Sequence, residues 1–238
     1  MFSDRARLIR YGLIPLLTGL TLVAAYFSGV DPLMNLVARR GQREYGAVEN
    51  LQNLLLILIA VRAWRAAGLE TAPRMRYLGR ALSVFAVFVL MEELDWGDHY
   101  YRSLTGKQYV EGELFNLHNK GEVNEWTKRI VDAGLVIGFA LVPLFLASRF
   151  PARLQAWIPD RHSVLTLVTS LLVSKTAHLL EDSGWPNNGA FRNNISEFRE
   201  IFVYWLAWLY LGEIVRRRRM AQGLQGSTRS EDQDAPAS

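Results

Sequence analysis

Apolar and polar positions fall in long alternating blocks along this chain. Apolar runs cover Tyr11 to Val30, Val48 to Trp64, Ala81 to Trp96, Ile130 to Ala147, Val164 to Leu180 and Ile201 to Val215. Each approaches the ~20 residues that an α-helix needs to cross a bilayer. The pattern predicts an all-α polytopic membrane protein, a bundle of about six transmembrane helices within residues 1–219. Pro15 and Pro143 lie inside runs, where membrane helices tolerate proline. From Met220 the chain turns to Gln, Gly, Ser, Asp and Pro, so residues 220–238 are expected to be a disordered cytoplasmic tail.

Composition sharpens this picture. Half of the 238 residues are apolar, an ordinary fraction for a soluble domain if spread evenly. Here they are segregated, and six spans of ~20 residues leave only connections between them. Of the 27 basic residues, 16 lie on the side of the N-terminus when the runs are threaded back and forth, and 10 on the other. The cluster Arg216 to Arg219 directly follows the last run. Both termini are therefore expected in the cytoplasm. Arg5, Arg7 and Arg10 ahead of the first run give it a signal-anchor character, and Ala24-Ala25 is a poor cleavage site. There is no cysteine, which excludes disulfides, thiolate metal sites and thiol catalysis.

The acids divide more sharply. Sixteen of 23 lie on the outer side or at the outer ends of runs, with His99, His118 and His178. Glu92, Glu93 and Asp95 end the third run directly after Leu82–Leu90. Glu92, Asp95 and His99 are spaced i, i+3, i+7, so a helix continuing that far shows them on one face. Lys175, His178 and Asp182 repeat the spacing at the end of the fifth run, and Glu197, Glu200 and Tyr204 at the start of the sixth. Glu49, Gln52 and Asn53 begin the second. Antiparallel threading brings these four polar ends to one membrane surface. Ionisable groups at membrane depth are costly and default to function; a helix end emerging into water would carry the same acids merely solvated.

Two outer connections add polar chemistry. Residues 97–128 hold Asn116-Leu-His-Asn119 among several aromatics, and residues 183–194 are rich in Asn and Gly, suited to tight turns that cap a pocket. Other chemistries fail on inventory: there is no His-Glu-x-x-His, no Gly-x-Ser-x-Gly and no P-loop. A haem held by His118 and His178 fits poorly, since His118 lies in a loop. The tetra-arginine cluster beside a span reads as a topology determinant and a contact for anionic lipid, not a nucleic-acid site.

Glu92-Glu-Leu-Asp-Trp-Gly97 and Asn116-Leu-His-Asn119 resemble the signature of a family of uncharacterised bacterial multi-pass membrane proteins, in which Glu-Glu-x-x-Trp-Gly closes one span and Asn-Leu-His-Asn precedes the next. Asp98 stands where that family has Gln. The resemblance covers about residues 91–120; it implies a bacterial inner membrane and no particular activity. More distantly, Asp95-Trp-Gly resembles a segment of the alkaline-ceramidase-like membrane hydrolases, which hold zinc near one membrane face with histidines and an aspartate. Here the histidine positions differ, and the last span lacks His-x-x-x-His. By that analogy His118 and His178, with Glu92 or Asp95, supply the ligands of a divalent Zn, Mn or Fe, with Glu93 or Glu197 as base and Asp182 orienting an imidazole or taking a proton. The expected function is a metal-dependent hydrolase or transferase acting on a lipid or lipid-linked substrate at the periplasmic face. A cation or proton relay and a non-catalytic assembly protein are the alternatives.

Overall fold

The computed structural model describes residues 3–37, 46–97, 101, 104–106, 121–155, 157–184 and 195–233. Regular structure among them is helical throughout. The long helices are α1 (Asp4–Tyr26), α3 (Ala47–Gly68), α4 (Pro73–Glu93), α5 (Gly121–Val136, continuing as a π-helical stretch over Ile137–Leu146), α7 (Ser163–Asp182) and α8 (Ile195–Gln233); α2 (Asp31–Val37) and α6 (Ala152–Gln155) are short. Four segments are long and apolar enough to cross a membrane: α1, α3, α7 and Arg129–Arg149. The third predicted run lies in α4 except for its last three residues, and the sixth lies within α8; both helices carry more charge. α4 begins eight residues before the predicted Ala81, and α8 continues past Arg219.

The helices run alternately, giving the bundle two ends. One gathers the start of α1, the α3–α4 turn, the connection after α5 and the arginine cluster of α8; it is the arginine-rich end. The other gathers the start of α3 and the ends of α4 and α7; it is the acidic end. α3 and α8 form the centre. α4 packs on α3, while α7 packs on α8 and α1. Large apolar side chains such as Leu17, Ile57, Phe85, Phe145 and Leu171 remain exposed on five helices. Soluble monomers rarely leave that much apolar surface to water, and a bilayer is the solvent it matches.

Local chemistry explains the helices and their contacts. Ser3 caps α1 by accepting the Ala6 N–H, with Asp4 in the first turn where the helix dipole favours an acid. Pro15 and Pro143 lack an N–H, so the carbonyls four residues back, Tyr11 and Phe139, lose their α-helical donor. α7 supplies both replacements: Thr166 Oγ1 donates to Tyr11 O and Ser163 Oγ to Phe139 O, each at 2.6 Å. Two prolines on two helices are thus stitched by neighbouring hydroxyls on a third, which is how irregular backbone survives where water is scarce.

Small residues set the α3–α4 seam. Gly79, Ser83 and Ala86 face Ala60, Ala63 and Ala67, and Ser83 Oγ donates to Ala60 O at 2.9 Å. A Cβ at Gly79 would lie 2.9 Å from the Ala67 Cβ. Such seams let helix backbones approach closely where lipid removes the usual hydrophobic drive. Gly19 plays the same part for α1, since a Cβ there would meet Val173 and Phe202 at 2.6 and 2.7 Å. Arg62 of α3 reaches across to α8, stacking on the Trp208 ring and donating to the Trp208 carbonyl. α5 is the most peripheral of the four segments long and apolar enough to span, and an Arg199–Asp132 ion pair ties it to α8.

Candidate carboxylate site at the acidic end

α4 delivers two adjacent carboxylates to the acidic end. Glu92 is 6% exposed and Glu93 is half-buried. The chain then turns sharply: Leu94 closes the helix, Trp96 adopts φ 55° and Gly97 φ 84°. Left-handed backbone is natural for glycine but strained for a tryptophan, and persists only where surrounding contacts hold it. One such contact is visible. The Trp96 indole N–H donates to Glu92 Oε1 at 2.8 Å, and the ring packs edge-on against Phe88. Across the bundle the Tyr204 hydroxyl of α8 donates to Glu93 Oε1 at 3.0 Å. Glu49 and Gln52 on α3 are buried at the same end, one turn apart. Two carboxylates are thus fixed by one turn and by one phenol.

The turn decides how far the helix of the third run continues. α4 stops at Glu93, so no continuous helical face carries Glu92, Asp95 and His99. Left-handed Trp96 and Gly97 are the reason, because neither backbone continues a right-handed helix. Asp95 opens the turn, but its side chain, like that of Glu197 in the first turn of α8, lies outside the described residues. His99 and His118 lie outside them altogether.

α7 holds the remaining predicted residues on its outer face. Ser163, Thr166, Ser170, Val173 and Ala177 are its buried face. His178 is about 100° around the helix from Ala177, and its side chain is 52% exposed, with Nδ1 3.9 Å from Glu181 Oε2 on the same helix. Lys175 and Asp182, which share its face, are exposed as well. The i, i+3, i+7 spacing therefore marks a real face, and that face points out of the bundle. α4 and α7 also occupy different flanks of the α3–α8 centre. Among the described residues no three His, Asp or Glu side chains are gathered closely enough to hold a metal.

The opposite end contains ionisable chemistry that the sequence reading set aside. Glu70, Asp160 and Glu213 are all buried there. Glu70 Oε1 lies 2.6 Å from Arg218 Nε, and its backbone carbonyl accepts from Arg76. Asp160 lies 3.0 Å from Arg7 Nη1 and 2.6 Å from His162 Nδ1, and accepts the His162 backbone N–H. Glu213 pairs with Arg217 at 2.9 Å, and Arg217 also donates to Ile158 O. Burial alone would push the Asp160 carboxyl up; the His162 N–H, the His162 ring and the Arg7 guanidinium outweigh it and hold it below its ordinary value. A usable signal existed for Glu213, which precedes Arg217 by four residues on a helix. For Glu70 and Asp160 the partners are distant in sequence. Comparison with protein-family models, curated proteins and solved structures returned no match to the chain.

Proposed function

We propose that this chain is a six-span protein of a bacterial inner membrane, both termini cytoplasmic, and that its acidic periplasmic end is the active site of a hydrolase or transferase for a lipid or lipid-linked substrate. The observation that carries the reading is the Glu92–Glu93 pair: adjacent carboxylates, buried and half-buried at a helix end, held by Trp96 and Tyr204. Such burial costs stability, and a strained turn beside it adds to that cost. Function is the usual reason for both to be retained. A carboxylate oriented by such hydrogen bonds can act as a general base toward water or a hydroxyl at the membrane surface.

A divalent ion is proposed on the third span's side of this site, with Asp95 and His118 as ligands whose side chains lie outside the described residues. Glu92, with Asp95 and His118 from the connection that follows α4, makes an oxygen–nitrogen donor set suited to Zn, Mn or Fe, and the ion would supply an acidified water or a polarised carbonyl or phosphoryl group. The exposed His178 is better placed as a surface residue than as a fourth ligand. Elemental analysis of the purified full chain tests this. Near-stoichiometric metal, lost in Glu92→Gln and His118→Ala while the protein stays monodisperse, supports it. A metal-free protein that releases water-soluble product from phospholipid vesicles, and stops doing so in Glu93→Gln, keeps the enzyme and removes the metal. The relay reading gains from Glu49 and Gln52, buried beside each other on α3; proton flux in proteoliposomes abolished by Glu49→Gln would favour it instead.

A further inference from the structure

A second site lies at the arginine-rich end, away from the carboxylate pair. A cavity of about 350 Å³ opens between the π-helical part of α5, the connection that follows it and α8. Gly138 and Phe139 form one wall, Phe150, Trp157 and Ile158 another, and Tyr210 the back. The lining is apolar, and the volume falls within the ~300–1,000 Å³ typical of small-ligand pockets. The walls are held in place by polar contacts: Tyr210 donates to Trp157 O at 2.6 Å, and Arg217 to Ile158 O at 2.7 Å.

Charge at the mouth selects the occupant. Arg149, the last residue of the spanning segment Arg129–Arg149, is exposed beside the cavity residue Phe150. Arg161, at the other end of the connection, is exposed and lies 3.9 Å from Asp4 of α1. The acid between them, Asp160, is turned inward onto Arg7 and His162, so it does not offset Arg149. Trp157 stands among them, a residue that favours the membrane–water interface. An apolar recess with a basic rim at the end of a membrane helix matches an acyl chain with an anionic headgroup.

We propose that this cavity binds one acyl chain of an anionic phospholipid, its phosphodiester held by Arg149. The site is independent of any chemistry at the acidic end. The test uses the full chain in detergent, with phosphatidylglycerol and phosphatidylcholine as probes in mixed micelles. Retained lipid is read by native mass spectrometry and stability by thermal unfolding. Phosphatidylglycerol is expected to be retained and to raise Tm more than phosphatidylcholine. Arg149→Gln should weaken phosphatidylglycerol retention roughly fivefold, the effect of losing one basic contact to anionic lipid, and leave phosphatidylcholine unchanged. Gly138→Trp should block the cavity; a Cβ at Gly138 meets nothing within 4 Å. Equal retention of the two lipids by the wild type would overturn the proposal, as would unchanged phosphatidylglycerol retention in Gly138→Trp. Should Gly138→Trp fail to fold, an Arg149→Gln titration matching the wild type overturns it alone.

Discussion

The two ends of the bundle both bury carboxylates, and they treat them differently. At the arginine-rich end Glu70, Asp160 and Glu213 each meet a guanidinium, and each pair joins segments of the fold: α8 to the α3–α4 turn, the connection before α7 to α1, and successive turns of α8 that also grip Ile158. At the acidic end Glu92 accepts from the Trp96 indole of its own turn, and Glu93 from the Tyr204 phenol of α8. The lesson is that acid content alone does not locate a site. What distinguishes the two ends is the donor each acid meets: guanidinium groups at one, an indole and a phenol at the other.

The largest expected effect breaks the structural side of the comparison. Arg218→Met leaves Glu70 buried without its guanidinium and should destabilise the chain by about 3–5 kcal/mol, read from denaturant unfolding in detergent. Adding Glu70→Gln should recover much of that loss, and a single variant of wild-type stability would show that the pair is idle. Next is the packing between the ends. Gly19→Ala places a Cβ against Val173 and Phe202 and should cost about 1–3 kcal/mol through overpacking. Thr166→Val removes the hydroxyl that serves the Tyr11 carbonyl; a loss of roughly 1 kcal/mol is expected, with the effect confined to the α1–α7 contact in hydrogen exchange.

The smallest effect is on pH dependence. Because the folded-state pKa of Asp160 is depressed, its pairing contributes fully at neutral pH. That contribution begins to fade as pH falls through the ordinary value of 3.8 and is gone below its own lower value. Asp160→Asn should flatten this acid limb of the stability profile. An unchanged limb would mean that other carboxylates carry it.

Much of the fold was legible because membrane helices announce themselves through long apolar blocks. The runs from Val48 and Val164 emerge as α3 and α7 within a few residues. The small-residue seam was equally visible in principle: Gly79, Ser83 and Ala86 repeat at helical spacing opposite an alanine-rich stretch of α3. It passes unnoticed when only hydrophobicity is tracked, since alanine and leucine count alike. The Ser163 and Thr166 hydroxyls could not be matched to Pro143 and Pro15 without knowing which helices touch.

The candidate site was partly legible for a related reason. Periodicity correctly groups Lys175, His178 and Asp182 on one face but says nothing about which way that face points; the burial of Ala177 decides it. Glu92 and Glu93 stood out because they end an apolar run. The local turn that terminates their helix depends on a left-handed tryptophan, which no helical spacing anticipates.

The difference between the two ends is tested most directly by measuring the unfolding free energy of Glu92→Gln beside that of Arg218→Met in the same detergent. Glutamine keeps an oxygen to accept the Trp96 N–H, so Glu92→Gln should stay within about 1 kcal/mol of wild type, while Arg218→Met loses several times more. Equal, large losses in the two variants would mean that Glu92 is a structural carboxylate like Glu70, and the acidic end would lose its claim to be the working site.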